Sequence, residues 1–225
     1  MDTAECYRTV RERLIKLASE LTADQLHTPV PALPGWSIQD TYAHLAGVSV
    51  EVVDGTLTGR ATDEDTARQV AKRAGRTITE LCAEWDVVGP QIESLLSGPK
   101  GYRYNLMVQD AWNHEQDMLA ALDRPLMRQD STTTLTAAVL TDMFERAWRK
   151  GEVSPSVHIK TESAEWLLGV GEPAASLETV DFELIRMLIG RRTLEEMKST
   201  SWTGDPSPVL DLLHVFPVPV ASLGE

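Results

Sequence analysis

The chain has 225 residues, 42% hydrophobic and 24% charged, which fits one large or two small folded domains and excludes a disordered polymer. Its net charge of −13 leaves no basic arm or patch for a phosphate backbone, so nucleic acid is not an expected partner. No run of about 18 apolar residues is present to span a bilayer, the polar start MDTAECYRTV is unlike a leader peptide, and two cysteines point to a reducing cytoplasm.

Tyr7, Val10, Leu14, Leu17 and Leu21 recur at steps of three and four, which predicts a first amphipathic helix. A connection bearing Pro29, Pro31 and Pro34 follows. Ser37 and Asp40 then form a capping-box pattern that starts a second helix, with Ile38, Tyr42, Leu45 and Val52 on its apolar line. A third helical segment is expected across residues 64–97, kinked or split at Pro90, which lacks the N–H that would bond back to Asp86. Ser97-Gly98-Pro99-Lys100-Gly101 stops it, and a fourth helix runs from about Tyr102 to Leu122. Four such helices predict a bundle over residues 1–125.

The texture changes after Pro125. A helix is expected over 132–150, then a hairpin from Val157–Lys160 and Ala164–Leu168. A helix at Asp181–Leu188 and a capping box from Thr193 to Glu196 follow. Trp202-Thr203-Gly204-Asp205-Pro206 reads as a turn into a last short helix near 207–215. Residues 126–225 therefore form a smaller α+β domain, and the fold class is α+β.

Five histidines are present: His27, His44, His114, His158 and His214. Asp110, His114 and Asp117 are spaced four and three apart, so one helix face carries all three. An i, i+4 carboxylate and imidazole can share one metal ion, and His44 on the second helix is the candidate third ligand. Two nitrogens and one carboxylate oxygen suit Zn²⁺ or another divalent first-row metal. The same spacing also describes a hydrogen-bonded core histidine beside a surface ion pair. No G-x-S-x-G, G-x-x-x-x-G-K-[ST], H-E-x-x-H or G-x-G-x-x-G motif occurs. Cys6 and Cys82 lie in helical periodic segments and read as core residues, so any thiol chemistry would use a thiol cosubstrate. Arg186, Arg191 and Arg192 cluster at a helix end, where cations suit the macrodipole; alternatively one of them clamps a substrate carboxylate.

Pro34-Gly35-Trp36-Ser37-Ile38-Gln39-Asp40 followed by His44-Leu45-Ala46-Gly47 resembles the opening of the mycothiol-dependent maleylpyruvate isomerase family, within the DinB-like superfamily of metal-binding four-helix bundles. Asp110-Ala111-Trp112-Asn113-His114-Glu115-Gln116-Asp117 is similar to that family's E-x-W-x-H-x-x-D helix. Phe182 to Arg191, followed by Trp202-Thr203-Gly204-Asp205, resembles its C-terminal E-L-x-R-x-L-x-G-R … G-D signature. The resemblance spans about residues 5–215.

It implies a DinB-like bundle followed by the family's α+β domain, and a divalent metal, usually zinc, held by His44, Asp110 and His114. The family's first acid is usually Glu; here it is Asp110, one methylene shorter. Asp117 is implied to be a catalytic non-ligand that orients the thiol or a ligand. Arg191, with Arg186 as second choice, is implied to meet cofactor or substrate. The cosubstrate implied is mycothiol or a similar low-molecular-weight thiol, in a cytoplasmic, actinobacterial setting. The expected reaction is thiol attack on an electrophilic small molecule, giving S-transfer or thiol-assisted cis–trans isomerisation. A non-catalytic metal-dependent binder and a thiol-independent metallohydrolase remain alternatives, and both monomer and homodimer stay open.

Overall fold

Most helices of the first half begin where a short polar side chain takes up otherwise unpaired backbone N–H groups. In the computed structural model, which describes all 225 residues, Asp2 caps α1 (Thr3–Glu20). Capping boxes open the short α2 (Ala23–Leu26), α3 (Ile38–Val53), α4 (Asp63–Ala71) and α5 (Ile78–Ser97), from Thr22, Ser37, Thr62 and Thr77 respectively. A single 3₁₀ turn, Gly101–Tyr104, leads into α6 (Asn105–Ala121). The chain divides into two compact units, Met1–Leu126 and Met127–Glu225.

In the first unit α1, α3, α5 and α6 make a four-helix bundle: α5 packs on α1 and α3, and α6 packs on the same two helices. Leu14, Ile38, Leu45, Trp85, Ile92, Trp112 and Met118 fill its core. The polar tips of large aromatics are satisfied inside it: Trp85 Nε1 donates to Tyr7 Oη (2.8 Å), and Tyr42 Oη donates to the Leu14 carbonyl (2.7 Å). Neither Cys6 nor Cys82 forms a disulfide, and both are buried, as their periodicity predicts. Burial first, and Asp86 second, push the Cys82 thiol up to about 11.

The segment expected as one helix over 64–97 is two. The break falls between α4 and α5, not at Pro90, which lies inside α5. Gly75 adopts a positive φ of 79°, and the Thr77–Glu80 capping box starts the next helix. Pro90 is accommodated inside α5 at the loss of the ladder bond to Asp86, and Gly89 before it brings no Cβ against the proline ring. Gly89 also has no room for a side chain: a Cβ there would sit 2.4 Å from Nε of the buried Arg11. Arg11 pairs with Asp86 and with Glu93 (3.1 Å).

The second unit starts with α7 (Ser131–Lys150), capped by Asp130. Its sheet comprises β1 (Ser156–Lys160), β2 (Glu165–Leu168), β3 (Pro173–Glu178) and β4 (Ser201–Gly204), in the order β2-β1-β3-β4. The β1–β2 hairpin is antiparallel as expected; β3 then runs parallel to β1, and β4 antiparallel to β3. Between them lie α8 (Asp181–Leu188) and the short α9 (Leu194–Lys198). β3 has no local signal, since its Ala-Ala-Ser run carries little strand preference, and the segment expected as a turn at Trp202–Gly204 belongs to strand β4. The last expected helix shrinks to a 3₁₀ turn at Leu210–Leu212. α7 packs on β2 and α8, where Trp166 Nε1 donates to Asp142 (3.0 Å). No helix of the chain is long and apolar enough to cross a membrane.

Candidate metal centre

Asp110 and His114 stand one turn apart on α6, and His44 faces them from α3. Each of the three offers a ligand atom within 4.8 Å of the other two. His44 Nε2 lies 3.3 Å from both Asp110 oxygens, and His114 Nε2 lies 3.4 Å from Oδ1. The two imidazoles meet edge to face, with ring centroids 5.1 Å apart. Both histidines are buried, at 3% and 8% exposure, so the carboxylate sits where two nitrogens converge out of bulk water.

The rear nitrogens face polar side chains, that of His44 in a hydrogen bond and that of His114 at ion-pair distance. His44 Nδ1 is 2.8 Å from Gln69 Oε1, and His114 Nδ1 is 3.4 Å from Asp117 Oδ2. Asp117 is completely buried. Backing of this kind fixes ring orientation and raises ligand basicity in metal sites. The Asp110 Oδ2 atom is shut off from solvent and makes no hydrogen bond, an acceptor that a cation would satisfy. The residues present thus fit a divalent metal.

The loop from Thr28 to Ser37 adds one wall. Val30 N donates to the Trp36 carbonyl (2.9 Å), and Ile38 N to that of Thr28 (3.0 Å), closing a bridge between Pro29 and Ser37. Gly35, at φ 86°, allows the turn that sets the Trp36 ring 5.2 Å from His44 and 6.4 Å from His114. An apolar wall beside the imidazoles excludes water and strengthens the field of the carboxylate.

Burial by itself would raise the Asp110 carboxyl, but His44 and His114 hold it well below the usual carboxylate range. Burial likewise opposes a charged His114, yet Asp110 and then Asp117 raise it from 6.5 to about 9. A cation must displace that proton. Its apparent association constant is therefore expected to climb about tenfold per pH unit below pH 9 and level off above it. Chelator-competition titrations at pH 6.5, 7.5 and 8.5 check this; a pH-independent affinity would remove His114 from the ligand set.

The sequence-derived residues His44, Asp110, His114 and Asp117 come together in the first unit. Arg186 and Arg191 belong to the second. Arg186 is fully buried, and its guanidinium pairs with the side chain of Glu225 (Nε to Oε2, 2.8 Å). Arg192 binds Glu225 as well (2.8 Å) and Glu183 (2.8 Å). Arg191 is buried, and its backbone N–H donates to the Arg186 carbonyl (2.7 Å). His158 and His214 also belong to the second unit, near Glu165 and the Phe216 carbonyl.

Gln69 and Glu51 were not legible as site residues. Gln69 Nε2 donates to Glu51 Oε2 (2.7 Å), and Glu51 lines a surface hollow of about 550 Å³ with Arg68, Lys72 and Arg76. The hollow does not include the three converging side chains. Glu51 carried one signal: it lies seven residues after His44, on the same face of α3.

Residues 7–97 match the family model described as mycothiol maleylpyruvate isomerase N-terminal domain. The resemblance seen in the sequence is to this family. The matched stretch holds the Trp36–Gly47 motif but ends before α6, so Asp110 and His114 stand on their geometry. A comparison with curated proteins finds no match. Among solved structures, the crystal structure of the mycothiol-dependent maleylpyruvate isomerase is 12% identical, covering 84% of this chain and 88% of its own, with a TM-score of 0.52. A histidine-to-alanine mutant of the mycothiol-dependent maleylpyruvate isomerase gives 11% identity at the same coverage and TM-score. That likeness is one of fold, and it includes the α+β class expected from the sequence.

Proposed function

We propose that this chain is a divalent-metal-dependent enzyme that activates a low-molecular-weight thiol, mycothiol or a close analogue, against an electrophilic small molecule. The observation that carries the reading is the convergence of two buried imidazole Nε2 atoms on one half-buried carboxylate. A divalent cation, zinc by its donor set, supplies one thing there: it keeps a bound thiol deprotonated at neutral pH. Everything else falls to the chain.

Asp110 provides the negative charge, and its two imidazole neighbours keep it ionised across the physiological range. Asp117 acts as an orienting residue for the His114 ring, not as a ligand. Trp36 walls off water beside both rings. Arg191 is assigned to hold an anionic group of the thiol or substrate, with Arg186 second because Glu225 already engages it. Neither cysteine of the chain is available as the nucleophile, which supports an external thiol.

Sulfur addition to an activated alkene, rotation and elimination give cis–trans isomerisation; keeping the adduct gives S-transfer. The match of residues 7–97 supports the isomerase type, and the maleylpyruvate geometry is the first substrate to try. Incubation with mycothiol and either maleylpyruvate or a bimane or chloroaromatic electrophile is expected to give turnover that stops after chelation and returns with zinc. Turnover that survives complete metal removal would overturn the reading.

A further inference from the structure

Each of the two histidines has a rear partner, but the two partners differ in kind. His114 backs onto a carboxylate, whereas His44 backs onto the neutral amide of Gln69. An amide presents either an oxygen or an NH₂ group, and the choice decides which imidazole nitrogen is left for a metal.

Glu51 makes that choice. Its carboxylate accepts only, so the Gln69 NH₂ must face it, as the 2.7 Å contact records. Arg68 (3.2 Å, on the same Oε2) and Lys72 (3.8 Å, on Oε1) hold the same carboxylate. The Gln69 oxygen then faces His44, which must carry its hydrogen on Nδ1. Nε2, 3.3 Å from Asp110, is then the nitrogen left to bind a cation.

The relay depends on one close helix approach. Gln69 is on α4 and completely buried, and α4 packs against α3 at Gly47. A Cβ on Gly47 would lie 2.8 Å from Gln69 Cβ and 2.8 Å from the Arg73 guanidinium. Gly47 falls between His44 and Glu51 on one face of α3, so its missing side chain admits Gln69 to both.

We propose that Gln69 is a positioning residue that sets the His44 tautomer for metal binding, oriented by Glu51 and admitted by Gly47. This rests on the metal site of the preceding section. The tests are zinc affinity by chelator competition and ¹H–¹⁵N correlation of the His44 ring in the zinc-loaded, full-length protein. The unaltered chain is expected to show His44 bonded to zinc through Nε2, with a slowly exchanging Nδ1–H. Gln69→Leu, close in volume and able to fill the same space, is expected to weaken zinc about 10- to 100-fold and to expose Nδ1–H to fast exchange. Gly47→Ala is expected to act in the same direction.

Glu51→Gln keeps the shape but frees the amide to turn, so it is expected to give a smaller loss with the same spectral change. It also serves if either other variant does not fold. Zinc affinity within about twofold of the unaltered chain, or a weakened site whose Nδ1–H stays protected, would overturn the proposal. Should the unaltered chain bind no zinc, the metal reading itself fails, and the ring tautomer of the metal-free protein still decides whether Gln69 sets it.

Discussion

Changing Asp110 to alanine is expected to strip the chain of its divalent metal and slow thiol transfer at pH 7 by at least about thirtyfold. Asp110 is the one anion among the three converging ligands, and it lies between both Nε2 atoms. Without it, two neutral imidazoles on separate helices must hold a doubly charged ion with nothing to balance the charge. The kinetic figure follows from the thiol: with a pKa of about 8.5, only about 3% is thiolate at pH 7, so a thiol no longer deprotonated by a metal loses about thirtyfold in reactive fraction. Lost thiol affinity adds to that. Folding is expected to survive, because the change also removes the partner that keeps a proton on buried His114. Elemental analysis of the purified variant, beside initial rates with thiol and electrophile, checks both halves. Asp110→Glu, which restores the acid of the family pattern, is expected to keep the metal. Full metal content in the alanine variant would dismiss Asp110 as a ligand.

Arg186→Ala is expected to destabilise the second unit by about 3–5 kcal/mol. The arginine side chain is fully buried and that of Glu225 is 1% exposed, so deleting one leaves the other's charge sealed away from water. Arg192 retains one contact to Glu225 and cannot satisfy both carboxylate oxygens with it. Replacing the pair together, Arg186→Met with Glu225→Leu, is expected to cost far less, since no charge is then stranded. Urea unfolding followed through the fluorescence of Trp148, Trp166 and Trp202 reads the loss. The experiment also bears on the assignment of Arg186 as a second choice for ligand contact. A variant of undiminished stability with a raised KM would mean that the guanidinium serves substrate rather than Glu225.

The three residues of the candidate metal centre were legible because helical geometry acts over one turn. Asp110 and His114, four residues apart, must share a face whatever surrounds them, and His44 lay in a motif already tied to a bundle helix. Gln69 was not legible. Its hydrogen bond spans 25 residues and depends on an atom Gly47 does not have, which no local pattern encodes. Pro90 does not split α5, because it removes a single ladder bond from a helix whose packing on α1 and α3 holds it together. In the second unit β1 and β2 were readable from their alternation. β3 was not, because its parallel pairing with β1 is made across a connection that itself contains β2, and its Ala-Ala-Ser segment has neither β-branched nor aromatic side chains.

The placement of the two cysteines bears on self-protection. A catalyst that handles electrophiles in the presence of a thiophilic cation risks alkylating or poisoning itself. Cys6 is wholly buried, and Cys82, with its pKa at about 11, is thiolate to only about one part in ten thousand at pH 7. Under the proposed function the chain's own sulfur would therefore neither compete with an incoming thiol for a cation nor consume the electrophile. Repeated turnover at high electrophile concentration would leave both side chains unmodified.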